Sequence, residues 1–475
     1  MSDFDDFEID PEEAEMEANL SSKEPLVRAK ALRDKAIALI HTNQKDNVAP
    51  IYLEEAFNLY EASGSLADAG ICAYWLGWAL ANSKQYERAL EVHLKGAQYS
   101  RQVMDDENEL NNVQSIAMVY KRQKDHKNAS EYYGIAYQLA KATNSSSLPW
   151  IRNFYIRSLR KVSNYGLAAE LARAAIAEGR ESGEDFPIVM GDQELAAILM
   201  EQGDYEGALV AATEAHNVAV FVDQAREAER AQFNKAKALN LLGRFDEALE
   251  ELQQIQVLKR YKAKNKHRLR VDFEIAKAKA GIGERAVAAE MFKKVVPLFD
   301  SFNVGDTAVE AMFHQAVNYM AMGNDLDAEF VLGAVLSRLS SSGSSSLGRS
   351  STVLLGGIFM EREQWDRVVG VYEPLDADPT NRFTVWYPEV LQSLAMAYFK
   401  LERFADADSA AATVLANGLK IDPSLNVGDA LAVRAGVALA LGNAAAARRF
   451  GRKAIKTYLA GGLASKAAPL GELYL

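Results

Sequence analysis

The sequence predicts an all-α fold built from repeated helical hairpins. The main observation is a small residue that recurs about every 40 positions along the 475-residue chain. Ten of the eleven positions hold alanine, and eight of the ten steps between them are 40 residues long. The spaced positions are Ala49, Ala89, Ala129, Ala168, Ala208, Ala248, Ala288, Ala328, Val368, Ala407 and Ala447. A fixed period of roughly 20 to 50 residues is typical of stacked supersecondary units.

Two further observations define each unit as two helices joined by a turn. In the segment Ala196–Leu199–Gly203–Tyr205–Ala208, the first two residues have the spacing of one helix face, and the glycine marks a turn. The aromatic residue then begins the second helix. The alanine is expected where two helices cross, because a larger side chain there would separate the backbones. The predicted turn glycines are Gly203, Gly243, Gly283, Gly323 and Gly442.

This order of residues resembles the tetratricopeptide repeat (TPR) over about residues 26–460. The common unit of that family has about 34 residues. The longer unit here is similar to the long-helix branch, which includes kinesin light chain, mitotic-spindle orientation adaptors and bacterial peptide-sensing regulators. The resemblance implies a right-handed α-solenoid of about eleven TPR-like helical hairpins. It also implies that the first helix of each hairpin lines a concave inner face.

Three segments depart from the repeat. Residues 1–24 hold ten carboxylates against one lysine, and we expect an acidic, disordered tail before a solenoid over residues 25–460. The serine-rich stretch 337–352 is predicted to be a flexible loop within that solenoid. Residues 461–475 are expected to form a short C-terminal tail.

Composition favours a cytoplasmic protein. The net charge is −12, and the acidic tail accounts for most of it, so the rest of the chain is almost neutral. The lone Cys72 excludes an internal disulfide and suits a reducing compartment. No apolar run has the length of a membrane span, and the N-terminal residues lack a signal-peptide pattern. We therefore expect no membrane association.

The candidate ligand site is the inner face formed by the first helices. Positions 15, 11 and 8 residues before the spaced alanines are predicted to line it, together with basic neighbours. The predicted binding residues are Lys121, Arg122, Asn153, Arg157, Arg160, Arg230, Phe233, Lys237, Asn240, Arg270, Phe273, Lys277, Phe313 and Met320. Arginine and lysine would pair with carboxylates of an acidic peptide, while phenylalanine and methionine would accept apolar side chains. The competing interpretation is a solvated helix face whose charges pair with neighbouring carboxylates.

The basic run over residues 259–270 raises the alternative of nucleic-acid binding. It contains seven lysine or arginine residues, and clustered basic residues neutralise phosphates. The chain as a whole is not basic, however, and no recognised nucleic-acid module accompanies the run. We favour a solvated helix end or a contact with the acidic tail, and do not expect nucleic acid as the main partner.

No catalytic motif is present in the sequence. The six histidines are scattered, and neither a phosphate-binding glycine loop nor a nucleophile elbow occurs. We expect no metal, no cofactor and no enzymatic activity. The sequence therefore predicts a non-catalytic scaffold that binds a peptide or protein segment in its concave groove. A peptide-responsive regulatory protein of the TPR signalling-receptor type is the alternative, and a homo-oligomer is left open.

The resemblance also allows a narrower hypothesis, which the residues do not support. Co-chaperone members of the family hold a C-terminal carboxylate through a set of lysines, asparagines and an arginine at fixed inner positions. The third to fifth units here lack that set, and Lys237 and Asn240 lie one helical turn apart without the other members. Binding of chaperone tails is therefore not expected.

Overall fold

A computed structural model describes residues 11–42, 48–256, 266–339, 346–417 and 423–474 of the chain. Over these ranges the regular elements are all helical, and no β-strand occurs. The all-α prediction is therefore confirmed. The chain divides into two compact units, which are unit 1 (Met1–Arg244) and unit 2 (Phe245–Leu475).

Unit 1 contains the first twelve described helices. They are α1 (Pro11–Leu20), α2 (Pro25–His41), α3 (Ala49–Ala62), α4 (Leu66–Asn82), α5 (Tyr86–Gln102), α6 (Asp106–Arg122), α7 (His126–Ala142), α8 (Leu148–Lys161), α9 (Tyr165–Ser182), α10 (Asp185–Gln202), α11 (Tyr205–Phe221) and α12 (Ala225–Leu241). From α2 to α11 they pack as consecutive hairpins, in which an even-numbered first helix is followed by an odd-numbered second helix.

Unit 2 continues the same alternation of helices. Its helices are α13 (Phe245–Gln256), α14 (Lys266–Gly281), α15 (Arg285–Ser301), α16 (Gly305–Ala321), α17 (Asp325–Leu339), α18 (Ser346–Glu361), α19 (Trp365–Ala377), α20 (Tyr387–Lys400), α21 (Phe404–Asn417), α22 (Pro423–Ala440), α23 (Ala444–Ala460) and α24 (Ala464–Tyr474). A 3₁₀ helix, Pro379–Phe383, precedes α20. The unit boundary lies between α12 and α13, so the count of eleven hairpins in one array stays a prediction.

From the hairpin of α4 and α5 onward, the turn inside each hairpin contains a left-handed residue five positions before the spaced position. Gly203 has φ 83°, and the Asp204 amide donates to the Leu199 carbonyl at 2.9 Å. The Asp204 side chain then caps α11 by accepting from the Gly207 amide at 2.9 Å. All five predicted turn glycines have positive φ, as expected. Lys84 adopts φ 61° at the same repeat position, so helix packing can impose this turn on another residue.

The spaced positions are buried throughout both units. The eleven side chains at these positions are between 0% and 5% exposed. Ala208 belongs to a buried cluster with Met200 of α10 and Ala238 of α12, so it contacts its own hairpin and the next one. A methyl group at this position lets three helices approach closely, which explains the period in the sequence.

A buried histidine joins three consecutive helices of unit 1. The His93 Nδ1 atom on α5 lies 3.1 Å from the Asn112 Oδ1 atom on α6. The Asn112 Nδ2 atom donates to the carbonyls of Gly70 on α4 at 3.1 Å and of Asn108 at 2.9 Å, so its Oδ1 accepts and His93 Nδ1 donates. Burial lowers the pKa of His93 to about 4, which keeps the ring neutral near pH 7.

Two segments that were expected to be irregular contain helix. Residues 11–20 of the predicted acidic tail form α1, which packs on α2, and residues 1–10 lie outside the described ranges. In the predicted serine-rich loop, residues 337–339 belong to α17 and residues 346–352 belong to α18. Residues 340–345 lie outside the description. Leu347 and Val353 pack on the core of unit 2, which explains a helix of this composition.

The short C-terminal tail contains a further helix. Helix α24 packs on α23, and its Tyr474 side chain is 5% exposed. A Cβ atom placed on Gly451 would lie 2.3 Å from Tyr474 Cγ, so only glycine allows this approach. Leu473 is 63% exposed and faces away from that contact.

We predict opposite stability changes for two glycine-to-alanine substitutions. A Cβ atom at Gly77 would lie 2.4 Å from His93 Nε2, so Gly77→Ala should lower the free energy of unfolding by about 1–3 kcal/mol. Gly333 lies within α17 with nothing within 4 Å of an added Cβ, so Gly333→Ala should raise it by about 0.5–1 kcal/mol. Urea denaturation of the full chain measures both changes. A stabilising Gly77→Ala would contradict the packing around His93.

Candidate functional site

Most first helices of neighbouring hairpins pack on one another within each unit. In unit 1, α4 packs on α6, α8 on α10 and α10 on α12, and in unit 2, α20 packs on α22. The second helices of consecutive hairpins make no comparable contact over the described ranges. We call the surface formed by the even-numbered helices α2–α12 in unit 1 and α14–α22 in unit 2 the first-helix face of that unit.

Burial separates the three predicted lining positions of this face. Fifteen residues before the spaced alanine, Asn153 is 4% exposed, Gln193 is 2% and Phe273 is 4%, so this position is often part of the packing between helices. Eleven residues before it, the side chains are half-buried at Met118, Arg157, Ala197, Lys237, Lys277, Val317 and Gly357. A ligand on the first-helix face would meet this second row.

The prediction that Phe273 lines an open face is wrong. Its ring belongs to the core of unit 2, with ring centroids 5.6 Å from Phe292 and 6.2 Å from Phe299. Both partners lie on α15, the second helix of the same hairpin. A phenylalanine buried in this way contributes to folding and offers no surface to a ligand.

Arg157 and Arg160 on α8 are paired with carboxylates of α10. The Arg157 Nε atom donates to Glu194 Oε1 at 2.6 Å, and Arg160 Nη1 donates to Glu194 Oε2 at 2.9 Å. Arg160 Nη2 also donates to Glu201 Oε1 at 2.7 Å. Burial opposes the charge of Arg160, but its bonds to Glu201 and Glu194 outweigh this and raise its pKa. These guanidinium groups join two consecutive first helices.

The two acidic partners should differ in their importance for stability. The Glu194 side chain is 5% exposed and the Glu201 side chain is 37% exposed. We expect Glu194→Gln to lower the free energy of unfolding by about 2–4 kcal/mol, because two guanidinium groups lose their buried counter-charge. Glu201→Gln should cost less than about 1 kcal/mol. Denaturation midpoints of the two variants test this, and equal losses would contradict the pairing.

Lys121 is exposed at the end of α6 and differs from these arginines. Its Nζ atom lies 5.4 Å from the centroid of the Phe154 ring on α8, a cation–π geometry. Desolvation and the nearby Arg157 charge lower its pKa. No carboxylate forms an ion pair with Lys121 in the part of the chain that the structure describes.

The other predicted residues of unit 1 fall into two groups. Arg122 donates to Asn82 Oδ1 on α4 at 2.8 Å, and Arg230 donates to Glu227 Oε2 at 2.8 Å, so both are engaged within the protein.

Asn240 is 7% exposed and belongs to the packing of α12. Phe233 and Lys237 are half-buried on the same helix. Among the described residues, no carboxylate is paired with Lys237.

The predicted residues of unit 2 give a less charged surface. Lys277 lies 3.3 Å from Glu274 and 5.5 Å from the Phe273 ring centroid, and Arg270 is exposed on α14.

Phe313 and Met320 are half-buried on α16, where Phe313 packs against the core. Val317 and Met320, with Gly357 and Met360 of α18, continue an apolar first-helix face.

Part of the basic run lies outside the description. Residues 259–265 are not described, and residues 266–270 form the first turns of α14. Arg268 lies 3.8 Å from Asp272 one turn later.

Asn153 occupies a different place from the other predicted residues. It lines a cavity of about 490 Å³ between α8, α9 and α10, at the ends of these helices. The neighbouring Arg152 lines the same cavity, was not predicted, and donates to Glu178 of α9. No motif identifies this pair, because residues 152 and 178 are joined only by the fold.

Asp192 is a second polar residue that the sequence did not single out. It lies on α10 and is 4% exposed, and its Oδ2 atom has no hydrogen-bond partner among the described residues. Burial raises its pKa to about 6, against the opposing charge of Arg180. The available signal was a carboxylate two residues after the apolar pair Val189 and Met190.

The raised pKa of Asp192 predicts a pH-dependent stability. Above about pH 6 the Asp192 carboxylate is charged in both the folded and the unfolded protein. Its charge is desolvated only in the folded protein, which lowers the free energy of unfolding. As pH falls towards 3.8, the folded state takes up the proton first and this cost disappears. Asp192→Asn should therefore raise the free energy of unfolding by about 1–2 kcal/mol near pH 7.5 and leave it unchanged near pH 4.

Urea denaturation at the two pH values measures this difference. Glu170→Gln is the matched control, because Glu170 is exposed on α9 and should show no such change. A variant whose effect is the same at both pH values would contradict the account of Asp192.

The described ranges contain no metal-binding cluster and one buried thiol. No group of three or more His, Cys, Asp or Glu side chains there could hold a metal ion. Cys72 is buried, and its thiol donates a hydrogen bond to the Leu53 carbonyl. Burial raises the pKa of this thiol to about 12, so Cys72 is a packing residue. None of the described helices combines the length and apolar character that crossing a bilayer requires.

Comparison with known proteins agrees with the repeat architecture. No protein-family model and no curated protein sequence matches the chain. The apo quorum sensor NprR from B. thuringiensis is 12% identical, with a TM-score of 0.50 over 69% of this chain and 92% of that protein.

Two further solved structures match the chain with lower TM-scores. A kinesin light chain-type protein from Podosopora anserina with nearly identical TPR-like repeats is 21% identical, with a TM-score of 0.35 over 40% of this chain and 94% of that one. Human IFIT1, solved as a dimer with PPP-AAAA, is 13% identical, with a TM-score of 0.46 over 96% of this chain and 95% of that one.

Together with the hairpins and their spaced alanines, the likeness to NprR defines the fold. The protein is an all-α repeat protein with TPR-like helical hairpins. This agrees with the resemblance found in the sequence.

Proposed function

We propose that the protein is a non-catalytic, cytoplasmic scaffold that binds an extended acidic segment of a partner protein along the first-helix face of unit 1. The observation that carries this proposal is the contrast between two sets of basic residues. Arg157 and Arg160 are neutralised by the buried Glu194 and, for Arg160, also by the exposed Glu201 of α10. Lys121 and Lys237 are not paired with a carboxylate over the described ranges.

The environment of Lys121 favours an incoming carboxylate. Its pKa is lowered because desolvation and, second to it, the positive charge of Arg157 disfavour the ammonium. A carboxylate placed beside it would stabilise the charged ammonium and so oppose both effects. The Phe154 ring beside the ammonium would also offer apolar contact to the same ligand side chain.

The spacing of the first helices suits an extended ligand. Packed helices lie about 8–10 Å apart, and an extended chain advances about 3.3 Å per residue. About three residues of such a chain therefore pass from one first helix to the next. Lys121 on α6 and Lys237 on α12 are separated by three helix steps, so carboxylates about nine residues apart would reach both.

The half-buried side chains along the line from Lys121 to Lys237 on the first-helix face are both apolar and polar. Met118 and Ala197 are apolar members of the same row, and Arg157 lies between them on α8. A segment that carries apolar residues between its two distant carboxylates would match this surface.

The experiment compares two double variants of the full chain. The probe is a fluorescein-labelled peptide with glutamates about nine residues apart and serine or leucine between them. Lys121→Glu with Lys237→Glu should weaken its binding at least about tenfold, because two attractive contacts become repulsive. The matched control is Lys127→Glu with Lys141→Glu, which changes exposed lysines of α7 and keeps the same net charge.

Fluorescence anisotropy at low and moderate salt provides the measurement. The wild-type affinity should fall as salt rises, since the attraction is electrostatic. Equal binding by the two double variants would reject the first-helix face of unit 1 as the site.

A further inference from the structure

The outward face of α23 in unit 2 carries a dense group of basic side chains. Five of them are exposed and follow one another at intervals of one or three residues. An α-helix turns about 100° and rises about 1.5 Å per residue, so the five cover an arc of about 140° and a length of about 12 Å. We call these residues the basic stripe, and they are Arg448, Arg449, Arg452, Lys453 and Lys456.

Helix packing fixes the direction in which the basic stripe points. The opposite side of α23 holds Ala447, Ala454 and Tyr458, which are at most 3% exposed. On that side Tyr474 of α24 also lies against Gly451. The helix cannot turn the basic stripe inward without exposing these packed residues, so the five charges stay at the surface.

The basic stripe has no internal counter-charge among the described residues. Helix α23 contains no aspartate or glutamate, whereas each second helix from α3 to α21 contains at least one. Two carboxylates of the preceding helices are engaged with other residues. Asp408 of α21 is paired with Arg434 at 2.7 Å, and Asp429 of α22 is paired with Lys466 at 3.0 Å. No ion pair joins the basic stripe to a carboxylate within the described ranges.

The complementary charge lies in the acidic tail, residues 1–24. Nine of its ten carboxylates fall within residues 3–17, which contain no lysine or arginine. These nine are Asp3, Asp5, Asp6, Glu8, Asp10, Glu12, Glu13, Glu15 and Glu17. Residues 1–10 lie outside the described ranges. On α1 the side chains of Glu15 and Glu17 are exposed, and neither forms an ion pair with a described residue.

The basic stripe and the acidic tail match in length and in chemistry. Fifteen residues are longer than the stripe of about 12 Å, both as a helix at about 1.5 Å per residue and as an extended chain. Three of the five cations are arginines, whose guanidinium groups bind carboxylates through paired hydrogen bonds. Leu459 lies on the same side of α23, is 57% exposed, and offers an apolar contact to Phe4 or Phe7 of the tail.

From this complementarity we propose that the basic stripe of one copy of the chain binds the acidic tail of a second copy. The tail belongs to unit 1 and the stripe to unit 2, so the contact is head-to-tail and not symmetric. Each dimer then keeps one unused tail and one unused stripe, so further copies add to form rings or longer chains. The contact does not involve Lys121 or Lys237, and the proposed function does not depend on it.

Sedimentation velocity of the full chain measures this association. The mass of the wild-type protein should rise with protein concentration at low salt. It should return to that of the monomer near 1 M salt, where the Debye length is about 3 Å.

Two variants of the full chain test the two charged surfaces. The tail variant combines Asp3→Asn, Asp5→Asn, Asp6→Asn, Glu8→Gln and Asp10→Asn. The stripe variant combines Arg448→Glu, Arg452→Glu and Lys456→Glu. Each variant alone should raise the dissociation constant of self-association at least about tenfold, because the attraction is removed in the first and reversed in the second.

A mixture of the two variants shows which copy supplies the tail. The stripe variant keeps its acidic tail, and the tail variant keeps its basic stripe. An equimolar mixture should therefore form a one-to-one dimer and nothing larger. If the tail instead bound the stripe of its own chain, the mixture would stay monomeric.

A matched control separates the basic stripe from general charge effects. It reverses three exposed lysines outside the stripe, and these changes are Lys127→Glu, Lys141→Glu and Lys294→Glu. This control has the net charge of the stripe variant and should associate at least about tenfold more tightly than it. The stripe side chains are exposed, so the stripe variant should unfold at the wild-type temperature.

Any of four results overturns the proposal. The first is a wild-type protein that stays monomeric at low salt and high micromolar concentration. The second is a mixture of the tail and stripe variants that forms no dimer. The third is loss of association in Lys121→Glu with Lys237→Glu, which would place the tail on the first-helix face of unit 1. The fourth is a stripe that binds a labelled RNA duplex in place of a second copy. Association that only the tail and stripe variants lose, and that their mixture restores as a dimer, supports the proposal.

Discussion

The close approach of helices at the spaced small residues is the constraint on which both units depend. Each of these side chains is almost fully buried, and Ala208 contacts helices of two consecutive hairpins. Close packing leaves no room for a larger group where three helices meet. The same requirement appears at Gly77 and Gly451, where a neighbouring ring lies against the helix backbone.

Once the helices are held this closely, their first-helix faces have room for polar links between neighbours. Glu194 of α10 receives two guanidinium groups from α8, and the Gln193 side-chain amide donates to the Glu227 carbonyl of α12 at 3.1 Å. These links remove several predicted ligand residues from consideration and leave the lysines. Basic residues that are paired with carboxylates of the same protein therefore have to be distinguished from unpaired ones before a partner is inferred from a basic repeat surface.

Much of the fold could be predicted because its signals are local. The turn at Gly203 and the aromatic start of α11 at Tyr205 follow from spacing within about ten residues, and the structure confirms them. The helical end of the serine-rich stretch could not be predicted, because Leu347 is held by contacts with distant parts of unit 2. Local composition favoured a loop, and tertiary packing outweighed it.

The candidate site was less predictable for a related reason. Helical periodicity identified the face but did not distinguish Phe273, which turns into the core, from Lys237, which stays half-buried at the surface. Nor did the sequence indicate that Arg157 meets a carboxylate 37 residues away. Partners that lie one repeat apart are brought together by the stack, so they become visible only with the structure.

The most direct test of this account compares two alanines of the same helix. Ala168 is a spaced position with 0% exposure, whereas Ala177 is exposed on the same α9. Urea denaturation of Ala168→Leu should show a loss of about 2 kcal/mol or more, because the added volume forces packed helices apart. Ala177→Leu should change the free energy of unfolding by less than about 0.5 kcal/mol. Equal effects of the two substitutions, or a stable Ala168→Leu protein, would contradict the claim that close helix approach at this repeat position holds the fold together.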